Sequence, residues 1–445
     1  MIDPSETPCY IAYGLICFFL VVAYIRIKSD EGTVITTKEF QNFQTGFVTG
    51  YAAIILCELI AAASFYHTFV SLHLSLEQIT KLYITTVVSS TVTHLVTEVV
   101  DLGAKRDKCV LSALLYSVSM FSIFFGGHYE MLLMGRIVYG AASALQHSAF
   151  EAYAVHEHSS RGFPEDWLSH TFSFLSHTMA LVAALSGVVG QVSANLGKFG
   201  CVTACCVLFA STALYLLVVW EKDVNIPRYM MTGFIYNFNQ VLGTVRTNRP
   251  MLYLMLISSL CESSIIIFTF YWAPWLTDLF KEEDQHIPYE IIFSCFVACS
   301  MFGNYLFQIL VGRQQNSLSF GIDQLFQIVL IASSTSYFLG AIVDTPLLAF
   351  GMALVIQCSV GMYWPCIGYF RGRIIVPELR NTTLTLSKIL TLVIVIVVLN
   401  SIHHSPLLML AACAIMNGIA AYIHLFHLDT KQTLVDEDLE EEEEL

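Results

Sequence analysis

The sequence predicts an all-α membrane protein: a core of twelve transmembrane helices arranged six plus six, preceded by one extra transmembrane helix at the N-terminus. Three observations carry this expectation. Hydrophobic residues make up 56% of the chain and charged residues 13%, against about a quarter charged in ordinary soluble domains. Apolar stretches of about 20 residues, the length that crosses a bilayer as a helix, recur from end to end. The strict period-two alternation of an outer-membrane barrel is absent from them.

Taken in order, the apolar stretches fall near 10–26, 44–66, 78–100, 109–127, 131–155, 168–194, 200–220, 250–276, 289–311, 323–343, 347–370, 384–401 and 406–427. The first reads as a retained helix rather than a cleaved signal. A signal peptide puts its positive charge before the apolar run, whereas Met1–Pro8 carries Asp3 and Glu6, and Arg26, Lys28 and Lys38 come after the run. Lys and Arg accumulate in cytoplasmic loops. Here they fill alternate connections: Lys105, Arg106 and Lys108, then Arg161, then Lys222, Arg228, Arg246 and Arg249, and finally Arg371, Arg373 and Arg380. The intervening segments Tyr66–Gln78, Gly126–Glu130 and Asp344–Pro346 carry none. This alternation places the N-terminus outside and the C-terminus in the cytoplasm.

The longest polar connection, Glu221–Arg249, divides the core. The expected organisation is an extra helix in 1–43, a six-helix half in 44–220, a cytoplasmic linker in 221–249, a second half in 250–428 and an acidic tail in 429–445. Much of the net charge of −14 lies in Asp436–Glu444, a run of the kind that stays solvated. Most of the 13 cysteines lie within spans, where a free thiol is a small hydrophobe and implies no disulfide framework. The glycosylation triplet Asn381-Thr-Thr falls on the predicted cytoplasmic side and is expected to be unused.

Arg136 stands out because its run, Met131–Glu151, should be buried in lipid. A charge at that depth costs several kcal/mol unless it faces a water-filled path or a partner. At helical spacing, Arg136, Gly140, His147 and Glu151 fall near one stripe, so one face carries a cation, an imidazole and an acid. Two further acids sit mid-span in matching Leu-Cys-Glu contexts, Glu58 and Glu262, as expected of helices related by an internal repeat. Rival chemistries fail on spacing. His156 and His158 lie on different helix faces, unlike the pair of a zinc protease, and no Gly-rich loop precedes a Lys-Ser or Lys-Thr pair. The 14 His are scattered, which argues against a metal-cation carrier. His94 and Glu98 share a face, for which a structural hydrogen bond is the plain explanation. The hydroxyls of Thr85, Thr86, Ser89, Ser90, Thr91 and Thr93 fit close packing against a neighbouring helix.

Two short motifs and three longer blocks carry a resemblance. Asp101-Leu-Gly-Ala-Lys105-Arg106 resembles the loop 2–3 signature of the major facilitator superfamily, with Ala104 where Gly is expected and Gly103 one place early, and Arg136-Ile-Val-Tyr-Gly140 matches its fourth-helix pattern. Ser148–His158 with Phe163–Trp167, Cys261–Pro274, and Gly361–Pro365 with Arg371–Glu378 resemble the molybdate-anion transporter family, the branch also called major facilitator superfamily domain-containing protein 5, over about residues 44 to 425. The resemblance implies a non-enzymatic secondary transporter without cofactor or metal, a monomer in the plasma-membrane bilayer that binds no nucleic acid and imports molybdate or a similar tetrahedral oxyanion. Bringing in a dianion against the membrane potential costs about 4.6 kcal/mol per 100 mV, so uptake calls for co-transported protons. On this reading Arg136 and His147 bind the anion, Glu58, Glu151 and Glu262 carry protons, and Asp101, Lys105 and Arg106 form the gate. A nutrient sensor on a transporter fold and a carrier of another small solute are the alternatives.

Overall fold

The structure, a computed structural model, describes residues 7–30, 36–101, 104–222, 228–229, 238–241, 243–245, 248–280, 287–312, 321–376, 379–402 and 405–428, with the side chains of 28–30, 98–101, 228–229, 312 and 406 outside that description. Thirteen long helices run in chain order among these residues: α1 (Thr7–Asp30), α2 (Lys38–Ser71), α3 (Leu76–Val99), α4 (Lys105–Ser122), α5 (Tyr129–Ser160), α6 (Glu165–Ala194), α7 (Gly200–Val219), α8 (Arg249–Phe280), α9 (Tyr289–Gly312), α10 (Ile322–Ile342), α11 (Pro346–Ile374), α12 (Arg380–Ile402) and α13 (Pro406–His427). Eleven are long and apolar enough to cross a membrane by length and composition. The two that fall short, α3 and α5, are the hydroxyl-rich helix and the helix of Arg136.

Local chemistry sets several helix starts. Thr37 accepts a hydrogen bond from the Phe40 amide at 3.3 Å and caps α2, satisfying one of the amides that a helix start leaves open. Ser405 does the same for α13, with Pro406 at its first position, where the missing amide hydrogen costs nothing. Inside the spans, buried hydroxyls such as Ser112, Ser263 and Thr391 donate back to carbonyls one turn earlier. That keeps polar atoms satisfied without water.

Helix packing repeats at an offset of six. The neighbours α2–α6, α2–α7, α3–α5, α4–α5 and α4–α7 recur as α8–α12, α8–α13, α9–α11, α10–α11 and α10–α13. The two halves meet through α6–α9 and α3–α12, which exchange under the same offset, and α2 also touches α9. Glycine permits the closest of these approaches. A Cβ on Gly140 of α5 would stand 2.4 Å from the Thr86 carbonyl oxygen on α3, and one on Gly361 of α11 would stand 1.8 Å from that of Ser300 on α9. The extra helix α1 lies along α9 and touches α6, with the Tyr13 hydroxyl donating to the Ala184 carbonyl.

The core is apolar, and unlike that of a soluble protein the surface is too. Phe18, Ile25, Val118, Phe121, Val207, Leu214 and Val218 are exposed on α1, α4 and α7, as lipid-facing positions require. At the end that gathers the basic loops, Val100–Asp101 pairs antiparallel with Arg228–Tyr229, Val100 opposite Tyr229 and Asp101 opposite Arg228. The central linker therefore folds back onto the α3–α4 connection.

Candidate functional site

Arg136 is 4% exposed. Its Nε donates to Thr86 Oγ1 at 2.8 Å, a reach that the Gly140 contact makes possible by drawing α3 against α5. Its guanidinium carbon lies 4.2 Å from the ring centre of Phe65, 4.6 Å from Tyr139 and 5.4 Å from Tyr83. Aromatic faces attract a cation that has left water. The Nη1 nitrogen is buried without a hydrogen-bond partner among the described residues. An unsatisfied buried donor costs about 1–3 kcal/mol, more when charged, so this site holds a donor in reserve.

The reserve donor connects to an acid. Tyr139 packs edge-on against Tyr116 with ring centres 4.8 Å apart. The Tyr116 hydroxyl donates to Glu58 Oε1 at 3.2 Å, and Gln146 Nε2 donates to Glu58 Oε2 at 2.8 Å. Glu58 of α2, which the sequence presents as a solitary acid, is thus held by α4 and α5 and linked to Arg136 through two tyrosine rings. Sequence reasoning missed Phe65, Tyr83, Tyr116, Tyr139 and Gln146 as partners, and read Thr86 as packing alone.

The other predicted site residues lie elsewhere. His147 and Glu151 share the azimuth of Arg136, but both are exposed, and Glu151 sits about 22 Å further along the axis at 1.5 Å per residue. The stripe of α5 therefore spans two environments. Glu262 is engaged in an ion pair with Arg371, with side chains 14% and 17% exposed. The predicted span ended at 370; α11 continues through Ile374 and carries Arg371 out of the expected loop toward α8. Glu58 and Glu262 match in sequence and differ in partners: hydroxyl and amide for one, a guanidinium for the other.

The predicted gate residues are distributed. The Asp101 side chain lies outside the described residues, and Lys105 opens α4. Arg106 Nη1 donates at 3.2 Å to the carbonyl of Trp220, the C-terminal cap of α7, where a cation complements the helix dipole. Trp220 in turn donates to the Gly46 carbonyl at 3.1 Å and stacks on Tyr153 at 4.2 Å. Arg161 pairs with Glu157 and Glu221. These contacts tie together α2, α4, α5 and α7 of one half. His94 meets Lys388 of α12, with His94 Nε2 and Lys388 Nζ 3.3 Å apart; Glu98 as its partner lies outside the described residues. At the opposite end, aromatic side chains bridge the halves. Tyr83 packs on Phe270 at 4.4 Å, and Tyr66 and His67 pack on Tyr289 at 6.2 and 5.6 Å.

Residues 9–360 match the MFS_5 family model, described as sugar transporters with 12 transmembrane segments. The chain is 28% identical over 392 residues to a molybdate-anion transporter of Xenopus tropicalis, covering 84% of this chain and 82% of that one. To a molybdate-anion transporter of Danio rerio it is 23% identical over 411 residues, covering 84% and 82%. Among solved structures it resembles the nucleoside transporter NupG, with a TM-score of 0.61, 12% identity and coverage of 87% and 98%. It also resembles a D-xylose-proton symporter, with a TM-score of 0.59, 14% identity and coverage of 86% and 97%. A bacterial homolog of the human lysosomal transporter Spinster, in an inward-facing and unoccupied conformation, gives a TM-score of 0.62 at 12% identity, covering 88% and 97%.

Proposed function

The chain belongs to the MFS_5 family of 12-span transporters, and from that premise we propose that it imports a tetrahedral oxyanion of the molybdate class, coupled to protons, by alternating access. It has the major facilitator fold and is a multi-pass membrane transporter, not an enzyme. The observation that carries the substrate reading is the Nη1 of Arg136, a buried cationic donor with no hydrogen-bond partner among the described residues. A planar guanidinium with an N–H left unpaired among the described residues suits an oxygen of a tetrahedral anion. The names of the relatives point to the same chemistry.

Glu58, within two tyrosine rings of that guanidinium, is the acid best placed to take a proton with the anion. Protonation would offset one of the charges whose entry opposes the membrane potential. Glu151, exposed on the same helix, is a second relay position, and Glu262 would act through its pairing with Arg371. Aromatic closure between the halves at the far end, with His147 and Glu151 exposed toward the basic end, supports a vestibule open to the cytoplasm. Arg106, held on the end of α7 in that state, Lys105 and Asp101 would meet the opposite half when the vestibule closes. The division into 44–220 and 250–428 supplies the two rocking bodies. The N-terminus would lie outside and the tail inside at the plasma membrane, which tags at both ends of a monomeric transporter would report on intact and permeabilised cells.

Purified protein in proteoliposomes, given labelled molybdate or sulfate with and without an inwardly directed proton gradient, tests the reading. Accumulation that requires the gradient is expected. Binding without accumulation would make the protein a sensor. A second reading, a sugar-like solute, draws on the rings of Phe65, Tyr83 and Tyr139, which offer stacking faces; uptake of labelled xylose that molybdate leaves unchanged would favour it.

A further inference from the structure

We propose that Gln146 of α5 is the positioning residue that lets Glu58 take and lose its proton in an enclosed site, its amide turning from donor to acceptor when the carboxylate is protonated. This rests on the reading of Glu58 as a proton carrier and adds the group that makes carriage reversible. Gln146 is 0% exposed. Its Nε2 donates to Glu58 Oε2 at 2.8 Å, a shorter bond than the 3.2 Å one from the Tyr116 hydroxyl to Oε1. The amide's own oxygen, Oε1, is buried without a hydrogen-bond partner among the described residues. Gln146 therefore faces Glu58 with an acceptor in reserve.

The donor that calls on this reserve is the proton itself. An ionised carboxylate only accepts, so it draws the NH2 side of the amide toward it. A proton arriving on Oε2 sets an O–H against the N–H, two donors face to face. Half a turn about the last side-chain torsion, which is broad and two-fold in glutamine, puts Oε1 in place of Nε2, and the O–H donates to it. The NH2 group then stands where Oε1 had been. Each state leaves one amide atom unpaired, so neither is favoured on that account and the switch runs both ways. Glu58 is half-buried, which gives water a route to deliver the proton and to take it back. No other bond is made or broken.

The matched acid of the second half shows the alternative. Glu262 is held by Arg371, whose guanidinium has donors only and so answers the ionised form alone. Glu58 is held by a hydroxyl and an amide, each able to donate or to accept. The two Leu-Cys-Glu acids thus differ in kind: one faces a fixed cation, the other faces partners that can follow its charge. The titratable groups around Glu58 leave that freedom intact. Tyr116 comes from α4 and Tyr139 from α5, Tyr51 and Cys57 lie on α2 itself, and Cys205 of α7 donates to the Cys57 carbonyl at 3.6 Å. Phenols and thiols are ordinarily neutral at physiological pH. Charged groups stand further off. Arg136 lies beyond the Tyr139 ring, Glu151 beyond Tyr51, and Glu290 of α9 on the other face of α2, by Ile60 and Gly190. His170 of α6 meets α2 at Gln44, about 21 Å along the axis from Glu58.

Infrared difference spectroscopy of the purified full-length protein, titrated from neutral to acidic pH with its glutamine carbonyls isotope-labelled, tests the switch. The carboxylic-acid band that vanishes in Glu58→Gln identifies protonated Glu58. In step with that band, one glutamine carbonyl band should move to lower frequency as Oε1 gains a hydrogen bond. The movement should be missing from both Gln146→Met and Glu58→Gln. A glutamine that merely braces the helices would keep its band fixed throughout. In proteoliposomes, Gln146→Met should lose most of the gradient-driven accumulation of labelled molybdate. Added to Glu58→Gln it should cost nothing further, because it acts through that acid. A fixed glutamine band while Glu58 titrates, read on the wild type and so independent of how the variants fold, overturns the switch and leaves Glu58 as the proton carrier. A full gradient response in Gln146→Met does the same. Absence of any Glu58 acid band across the titration overturns the proton reading itself, and the switch with it.

Discussion

Replacing Arg136 by methionine should abolish transport without destabilising the protein. The guanidinium is surrounded by three aromatic rings and Thr86, yet Nη1 has no hydrogen-bond partner among the described residues. Against the wild type stands the unsatisfied donor, about 1–3 kcal/mol or more. In its favour stand contacts of a cation with rings, each about 0.5–2 kcal/mol, and one charge-assisted hydrogen bond. Methionine has similar length and keeps sulfur–ring contacts worth about 0.3–1.5 kcal/mol each. Thr86 would not be orphaned, because its hydroxyl already donates to the Leu82 carbonyl at 3.1 Å. Removing the charge also removes the several kcal/mol that burying an ion away from water costs. The expected balance is a shift within about 1 kcal/mol of zero or above it.

The assay is thermal unfolding of Arg136→Met and Arg136→Lys in detergent beside their concentration-dependent uptake, normalised to surface expression. Arg136→Lys keeps the charge and loses the fork, so half-saturation should rise ten- to a hundredfold, roughly the 1.5–3 kcal/mol of one charged hydrogen bond. A marked drop in melting temperature for Arg136→Met, together with unchanged half-saturation for Arg136→Lys, would mean that Arg136 is a structural partner and refute the anion role.

Three further outcomes follow from the same structure. Glu58→Gln should still transport in exchange mode but lose its response to a proton gradient, since the amide neither takes up nor releases a proton; a gradient response equal to wild type, read in proteoliposomes, would remove Glu58 from the coupling path. Arg371→Gln leaves Glu262 without its cation, at a cost of up to about 3–5 kcal/mol, and the double variant with Glu262→Gln should recover much of it. Equal melting temperatures for the single and double variants would show that the pair carries no coupling energy. Gly361→Ala drives a methyl to 1.8 Å from the Ser300 carbonyl oxygen and should fail to yield monodisperse protein, while Gly351→Ala, with nothing within 4 Å, should behave as wild type in size-exclusion chromatography.

The thirteen helices were legible because a span announces itself by length and apolarity, and α3 and α5 were recovered despite compositions that fall short. Helix ends were less so. Basic residues signal a side of the membrane but do not say where a helix stops, so Arg371 reads as loop when it is the last turn of α11 and the partner of Glu262. Arg136 was legible through the cost of its charge. Its neighbours were not, because Phe65, Tyr83 and Tyr139 are indistinguishable in sequence from residues that fill any membrane core. Lys388, the partner of His94, is separated from it by 294 positions, and only the fold joins them.

The most instructive divergence is along α5. A helical wheel gives azimuth but not depth, so Arg136, His147 and Glu151 project onto one stripe while lying about 22 Å apart at its extremes. The structure resolves that stripe into two layers. One is enclosed, with Arg136 coupled to Glu58 through Tyr139 and Tyr116. The other is exposed, with His147 and Glu151 on α5 and Lys388 facing His94 from the opposite half. A carrier benefits from this separation. A single deep site binding a dianion tightly would release it slowly, because every 1.4 kcal/mol of added affinity lowers the dissociation constant about tenfold, mostly through the off-rate. On the proposed reading, an enclosed layer at Arg136 and Glu58 and an exposed layer at His147 and Glu151 would let the anion pass from one to the other as the halves rock, with charge neutralised at each step. The charged face of α5 is then a path whose two ends do different work.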